Sequence, residues 1–79
     1  MKTIQNLNGQ DVYIILRHAA YGDQDLCVRN FQLIETKDKI GFNRGKQFIY
    51  CTKDDVEFAI TDKEITIKDN MLSIIISKM

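Results

Sequence analysis

Val56-Glu57-Phe58-Ala59-Ile60, Glu64-Ile65-Thr66-Ile67-Lys68 and Leu72-Ser73-Ile74-Ile75-Ile76 decide the fold. Each run alternates apolar and polar side chains, with Ile75 the exception. Val56, Phe58 and Ile60 point one way, and Glu57 and Ala59 the other. Ile65 and Ile67 alternate with Glu64, Thr66 and Lys68. A period of two is the signature of a half-buried strand. The intervening segments, Thr61-Asp62-Lys63 and Lys68-Asp69-Asn70-Met71, are too short to return the chain except as turns; the second is predicted as a 3₁₀ bend. Three strands joined by two tight turns predict an antiparallel meander over residues 56–76. Its β-branched residues suit a pleated surface.

Upstream, Thr52-Lys53-Asp54-Asp55 has capping-box-like spacing, but the strict alternation that follows favours a turn over a helix. Gln47–Cys51 reads as a strand, Asn43-Arg44-Gly45-Lys46 as a turn, and Ile40-Gly41-Phe42 as a short hairpin partner. Leu26–Thr36 is a strand candidate through Val28, Phe31, Leu33 and Ile34. Its alternation breaks at Asn30-Phe31, which predicts a bulge. His18–Asp25 reads as a connection, because Gly22 and two aspartates favour turns. Val12–Arg17 is a strand apolar on both faces, as the middle of a sheet requires. Asn8-Gly9 is a turn signal.

The expected fold class is therefore all-β, as a single β-rich domain over residues 1–79. The order strand, tight turn, strand, one-turn kink, short final strand over Ile65–Ile76 resembles small SH3-like or Sm-like barrels. That resemblance implies a closed barrel and carries no function. The alternatives are a small open antiparallel sheet and a β-rich sheet with one short helix at residues 18–25 or 52–57.

The bulk numbers limit what such a domain can do. A chain of 79 residues buries only roughly 60 to 65 % of its unfolded surface, so its core is thin. Hydrophobic residues make up 44 % and charged residues 28 %, which excludes a disordered chain. Basic and acidic side chains number 11 each, and both halves are balanced, so bulk charge does not direct the protein to nucleic acid. Zero net charge favours self-association. Met1–Asn6 has no leader-like apolar run, and no run approaches the roughly 20 residues of a membrane helix. The expected setting is cytoplasmic, away from membranes, with Cys27 and Cys51 reduced and buried as small hydrophobes. Abundant Ile, Lys, Asp and Asn is a usage common in phage, plasmid and bacterial genes.

Motifs for chemistry are missing. His18 is the only histidine, and a base, dyad or metal ligand needs partners. Asp23, Asp25, Cys27 and Cys51 are the candidates, and none stands at a recognised ligand spacing. Gly41-x-x-x-Gly45-Lys46 lacks the first half of a phosphate loop and the helix that must follow it. The sequence thus predicts no enzyme, no cofactor and no metal. Asp54, Asp55, Glu57, Asp62, Glu64 and Asp69 form a loose acidic set that alternation places in solvent.

Lys37–Lys53 differs from the rest. It carries Lys37, Lys39, Arg44, Lys46 and Lys53 against Asp38 alone, with Phe42, Phe48 and Tyr50 interleaved. Cations among aromatics build protein hot spots and single-stranded nucleic-acid sites. The candidate binding residues are Phe42, Arg44, Lys46, Phe48 and Tyr50. Two functions are expected from them. The first is a non-enzymatic module that binds a protein partner or a second copy of itself, such as a phage- or mobile-element-encoded modulator of a host protein. The alternative is a nucleic-acid-binding barrel using residues 37–53. A third arrangement pairs this basic segment with the acidic one that follows, within the fold or across a dimer.

Overall fold

The computed structural model describes residues 7–61 and 64–79. Met1–Asn6, and Asp62 and Lys63 of the expected Thr61–Lys63 turn, lie outside the described residues. The described residues form eight strands: β1 Val12–His18, β2 Gly22–Val28, β3 Ile34–Glu35, β4 Lys39–Arg44, β5 Gln47–Thr52, β6 Glu57–Ile60, β7 Glu64–Lys68 and β8 Leu72–Lys78. A 3₁₀ turn, Lys53–Asp55, links β5 to β6. The fold is all-β. The strands make two antiparallel sheets, ordered β2-β1-β8-β7-β6 and β3-β4-β5, and no barrel closes among the described residues. The open-sheet expectation stands, and the closed barrel implied by the resemblance does not.

The meander forms as its alternation requires. Ile65 and Ile67 pair with Ile76 and Ile74, and Ile14 and Leu16 of β1 continue the same rows. These side chains, with Val12 and Leu26, cover the inner face of the larger sheet. Ile40, Phe42 and Cys51 of the smaller sheet close over them. Phe31 fills the space between the sheets, its ring 5.8 Å from that of Phe42.

Three expectations are corrected. The predicted strand over Leu26–Thr36 is broken rather than bulged. Asn30 takes a φ of 54°, a left-handed conformation that asparagine tolerates, so β2 stops at Val28 and Phe31 drops into the core. Asp11 Oδ1 accepts the Asn30 N–H at 3.1 Å, and Phe31 pairs with Gln10 and Gly9. The predicted connection His18–Asp25 shrinks to Ala19–Tyr21. The residues after it belong to an edge strand whose outer face is solvated, so their polarity hid the strand. The bend before β8 is not 3₁₀: Asp69 Oδ1 accepts the N–H groups of Met71 and Leu72, both at 2.8 Å.

No helix among the described residues is long and apolar enough to cross a membrane.

Candidate functional site: an aromatic cleft beside strand β5

The β4–β5 hairpin sets up the site. Gly45 and Lys46 form a two-residue turn, with Gly45 at φ 61° where glycine is unstrained. Arg44 pairs with Gln47, Phe42 with Ile49 and Ile40 with Cys51 on one face of the sheet. Asn43 pairs with Phe48, Gly41 with Tyr50 and Lys39 with Thr52 on the other. The first face packs on the larger sheet. Phe42, at 1 % exposure, is therefore a core residue and not a surface contact; strand alternation carries it inward. Phe48 and Tyr50 stand on the outer face, stacked at 5.2 Å and 27°. The Lys39 ammonium rests 4.4 Å from the centre of the Tyr50 ring, a cation–π contact.

The smaller sheet does not reach over the whole inner face of the larger one. Where it falls short, a cleft of about 470 Å³ opens, a size typical of ligand pockets. Leu16, Ile49 and Leu72 line its depth. Arg44 of β4 with Gln47, Phe48 and Tyr50 of β5 form one wall, and His18, Tyr21, Gly22 and Gln24 of the β1–β2 hairpin form the other. Thr52, Asp69 and Met71 close one end.

Large apolar side chains are exposed here. Among the described residues five are in this state, and three of them line this cleft: Tyr21 at 88 %, Met71 at 50 % and Tyr50 at 38 %. Tyr21 is nonetheless held. His18 Nδ1 accepts the N–H groups of Ala20 and Tyr21 at 3.0 and 3.3 Å, and the His18 and Tyr21 rings lie 4.6 Å apart. An accepting Nδ1 leaves the ring proton on Nε2. His18 is thus a half-buried residue that shapes a turn.

Asp69 anchors the closed end. Besides the two N–H groups of its own bend, it accepts the Thr52 N–H through Oδ2 at 2.9 Å. Partial burial pushes this carboxyl up, but the three backbone donors outweigh burial and hold it below the ordinary carboxylate value. Cys51 lies fully buried beneath, its Sγ 3.5 Å from the Leu72 carbonyl oxygen and 3.6 Å from that of Ile67. Burial pushes its thiol up to about 12. An unionised thiol is no nucleophile.

The sequence-predicted residues therefore divide. Arg44, Phe48 and Tyr50 line the cleft. Lys46 is exposed at the hairpin tip and does not line it, and Phe42 is withdrawn into the core. Tyr21, Gln24 and Met71 were not expected in the site. They lie far from β5 in sequence, and only an aromatic, Tyr21, within a polar connection hinted at a surface role.

The constellations considered for metal do not assemble. Cys27 pairs with Tyr13, whereas His18 pairs with Gly22 at the other end of the hairpin, about 17 Å away at strand rise. Cys27 is exposed rather than buried, because it faces outward on an edge strand, and both cysteines are free thiols. Among the described residues no ion pair joins the basic segment to the acidic one: Lys53 pairs with Glu35, and Lys68 with Glu57 at 3.5 Å. Neither Arg44 nor Lys46 forms an ion pair among the described residues. No family model matches the chain, and no curated protein or solved structure is significantly similar to it.

Proposed function

We propose that the protein is a non-enzymatic binding module whose cleft beside β5 receives part of a protein partner. One observation carries this reading: Tyr21, Tyr50 and Met71, three of the five exposed large apolar side chains among the described residues, meet around one cleft. Exposed apolar side chains gathered in a concavity mark binding sites, and tyrosines supply contact area at small entropic cost. Arg44, Gln24 and Gln47 give the rim the polar groups that orient a ligand. The proposed setting is a reducing cytoplasm, where the exposed Cys27 stays a thiol. The residue usage fits a phage or mobile-element origin and a host protein as the partner.

The nucleic-acid reading draws on the Phe48–Tyr50 stack and its cations. It is weaker here, because the Tyr50 ring already carries Lys39 and Phe48, and the net charge is zero.

Selection of displayed peptides on the immobilised protein, followed by amide shift mapping, tests the proposal. Bound ligands are expected to shift Tyr21, Phe48, Tyr50 and Met71. Tyr21→Ala with Met71→Ser is expected to weaken them by about 2 kcal/mol or more, as loss of a hot spot does, with an unchanged melting temperature. Ligands that map elsewhere, or no ligand at all, would reject the cleft as a protein-binding site.

A further inference from the structure

We propose that the cleft binds its partner as an added β-strand, an extended segment bearing an acidic side chain, hydrogen-bonded to the free edge of β5 at Phe48 and Tyr50. This rests on the binding-module reading above and specifies its mode.

The register makes the argument. β5 ends the order β3-β4-β5, so one of its edges has no strand neighbour among the described residues. In an antiparallel pair, alternate residues direct N–H and C=O toward the neighbour, and the others direct them away. The Thr52 N–H leaves the sheet to reach Asp69, whereas the Lys53 N–H turns back to the Asp38 carbonyl. The period of two then places the backbone groups of Tyr50 and Phe48 on the side of Thr52. Asp69 occupies that edge at Thr52. Among the described residues, no backbone bond outside the β4 ladder and no side-chain acceptor engages Phe48 or Tyr50, and the cleft lies against both. An edge of this kind is a template for strand addition.

Asp69 has a second consequence. By taking the edge position at Thr52 it fixes where an incoming strand must stop, and so sets register. An added strand alternates its side chains between the cleft and solvent. Those directed inward meet Leu16, Ile49 and Leu72. At the open end stands Arg44, on the cleft-facing side of the hairpin and without an ion pair among the described residues. A carboxylate is the group that complements an unpaired guanidinium. The chemistry of the occupant is thus apolar residues at alternate positions and an Asp or Glu toward the turn of the β4–β5 hairpin.

Amide hydrogen exchange on the free, full-length protein is the first test. Phe48 and Tyr50 are expected to exchange fast, and Ile49 and Cys51 slowly. Equal protection of all four would overturn the proposal, because the edge would already be paired. Protection of Phe48 and Tyr50 that grows with protein concentration would overturn it in favour of a second copy.

The second test uses peptides selected by display on the wild-type protein. They are expected to carry an acidic residue and to protect Phe48 and Tyr50. N-methylation at every other peptide amide is expected to weaken binding about tenfold or more, as the loss of an edge hydrogen bond does, with little effect between. Arg44→Glu is expected to shift selection from acidic to basic peptides. Cleft-bound peptides indifferent to N-methylation would overturn strand addition and leave the binding-module reading intact. If no peptide engages the cleft, both fail. Protection of the same amides by an oligothymidylate at low salt would overturn the proposal in favour of nucleic acid.

Discussion

Phe42 and Phe48 flank one two-residue turn yet serve opposite sides of the same sheet. The register Arg44–Gln47 forces this, because Phe42 falls in step with the inward row and Phe48 with the outward one. Phe42→Ala is expected to destabilise the protein by about 3–5 kcal/mol, the range for a buried ring. Phe48→Ala is expected to cost about 1 kcal/mol, the scale of one aromatic pair. Urea midpoints measure both, and equal losses would contradict the assignment of faces. Gly41 is constrained by a different neighbour. A Cβ built there strikes the Ile49 carbonyl oxygen and lies 2.6 Å from Tyr50 Cα, so the paired backbone must move. Gly41→Ala is expected to cost about 2–3 kcal/mol, as overpacking does. Gly45→Ala meets nothing within 4 Å and bears only its left-handed backbone, about 1 kcal/mol. Chemical unfolding of the pair separates the two causes. The cysteines differ as sharply. Cys27 is expected to react with a thiol reagent in the folded protein, and Cys51 only on unfolding; mass shifts at each site report it.

At the scale of elements, strand β5 depends on a single carboxylate for the end of its outer edge. Asp69→Asn keeps an oxygen that can accept from Met71 and Leu72, so the bend persists. Its amide group then faces the Thr52 N–H, donor against donor, and β5 loses its tether. The expected cost is about 2 kcal/mol, the scale of a hydrogen bond to a charged group, with faster amide exchange at Thr52. An unchanged Thr52 exchange rate would show that the tether is immaterial. The same scale explains what sequence could reveal. Residues 56–76 were legible, because Ile65, Ile67, Ile74 and Ile76 face a dry core and their neighbours face water. Strand β2 was not. Asp23 and Asp25 face solvent at an edge, and Gln24, on the inner face, lies over the cleft instead of the core. The absence of alternation was itself the trace of the cleft. Half the cleft was legible as the aromatic strand β5 with Arg44 of β4 beside it. The other half was not, since its wall comes from a turn and a hairpin that only tertiary structure brings beside it.

For the molecule as a whole, stability against pH follows from groups at the junction of the two sheets. The radius of gyration is 11.5 Å, close to the roughly 12 Å of a compact chain of this length. The cleft is therefore an open seam in an otherwise close-packed body, and Asp69 and Cys51 stand at its closed end. Asp69 is held below its ordinary value of 3.8. Glu35, hydrogen-bonded to and attracted by the Lys53 ammonium, is held below its ordinary 4.5. A carboxylate lowered by folding contributes stability that is fully present above its unfolded value and lost as pH falls through its folded one. No contribution from either should change between pH 7 and about 5. Loss should begin below 4.5 with Glu35, weakly because that group is exposed and screened, and continue below 3.8 with Asp69. Cys51 acts at the other limb. Its thiol is raised from 9.0 to about 12, so its contribution is complete below 9.0 and is lost as pH rises toward about 12. Urea unfolding across this range should give a plateau with two falling limbs. Asp69→Asn is expected to flatten the acid limb and leave the alkaline one, and Cys51→Ala to do the reverse. If each substitution lowers the plateau without changing its own limb, the two groups do not couple the junction of the sheets to protons.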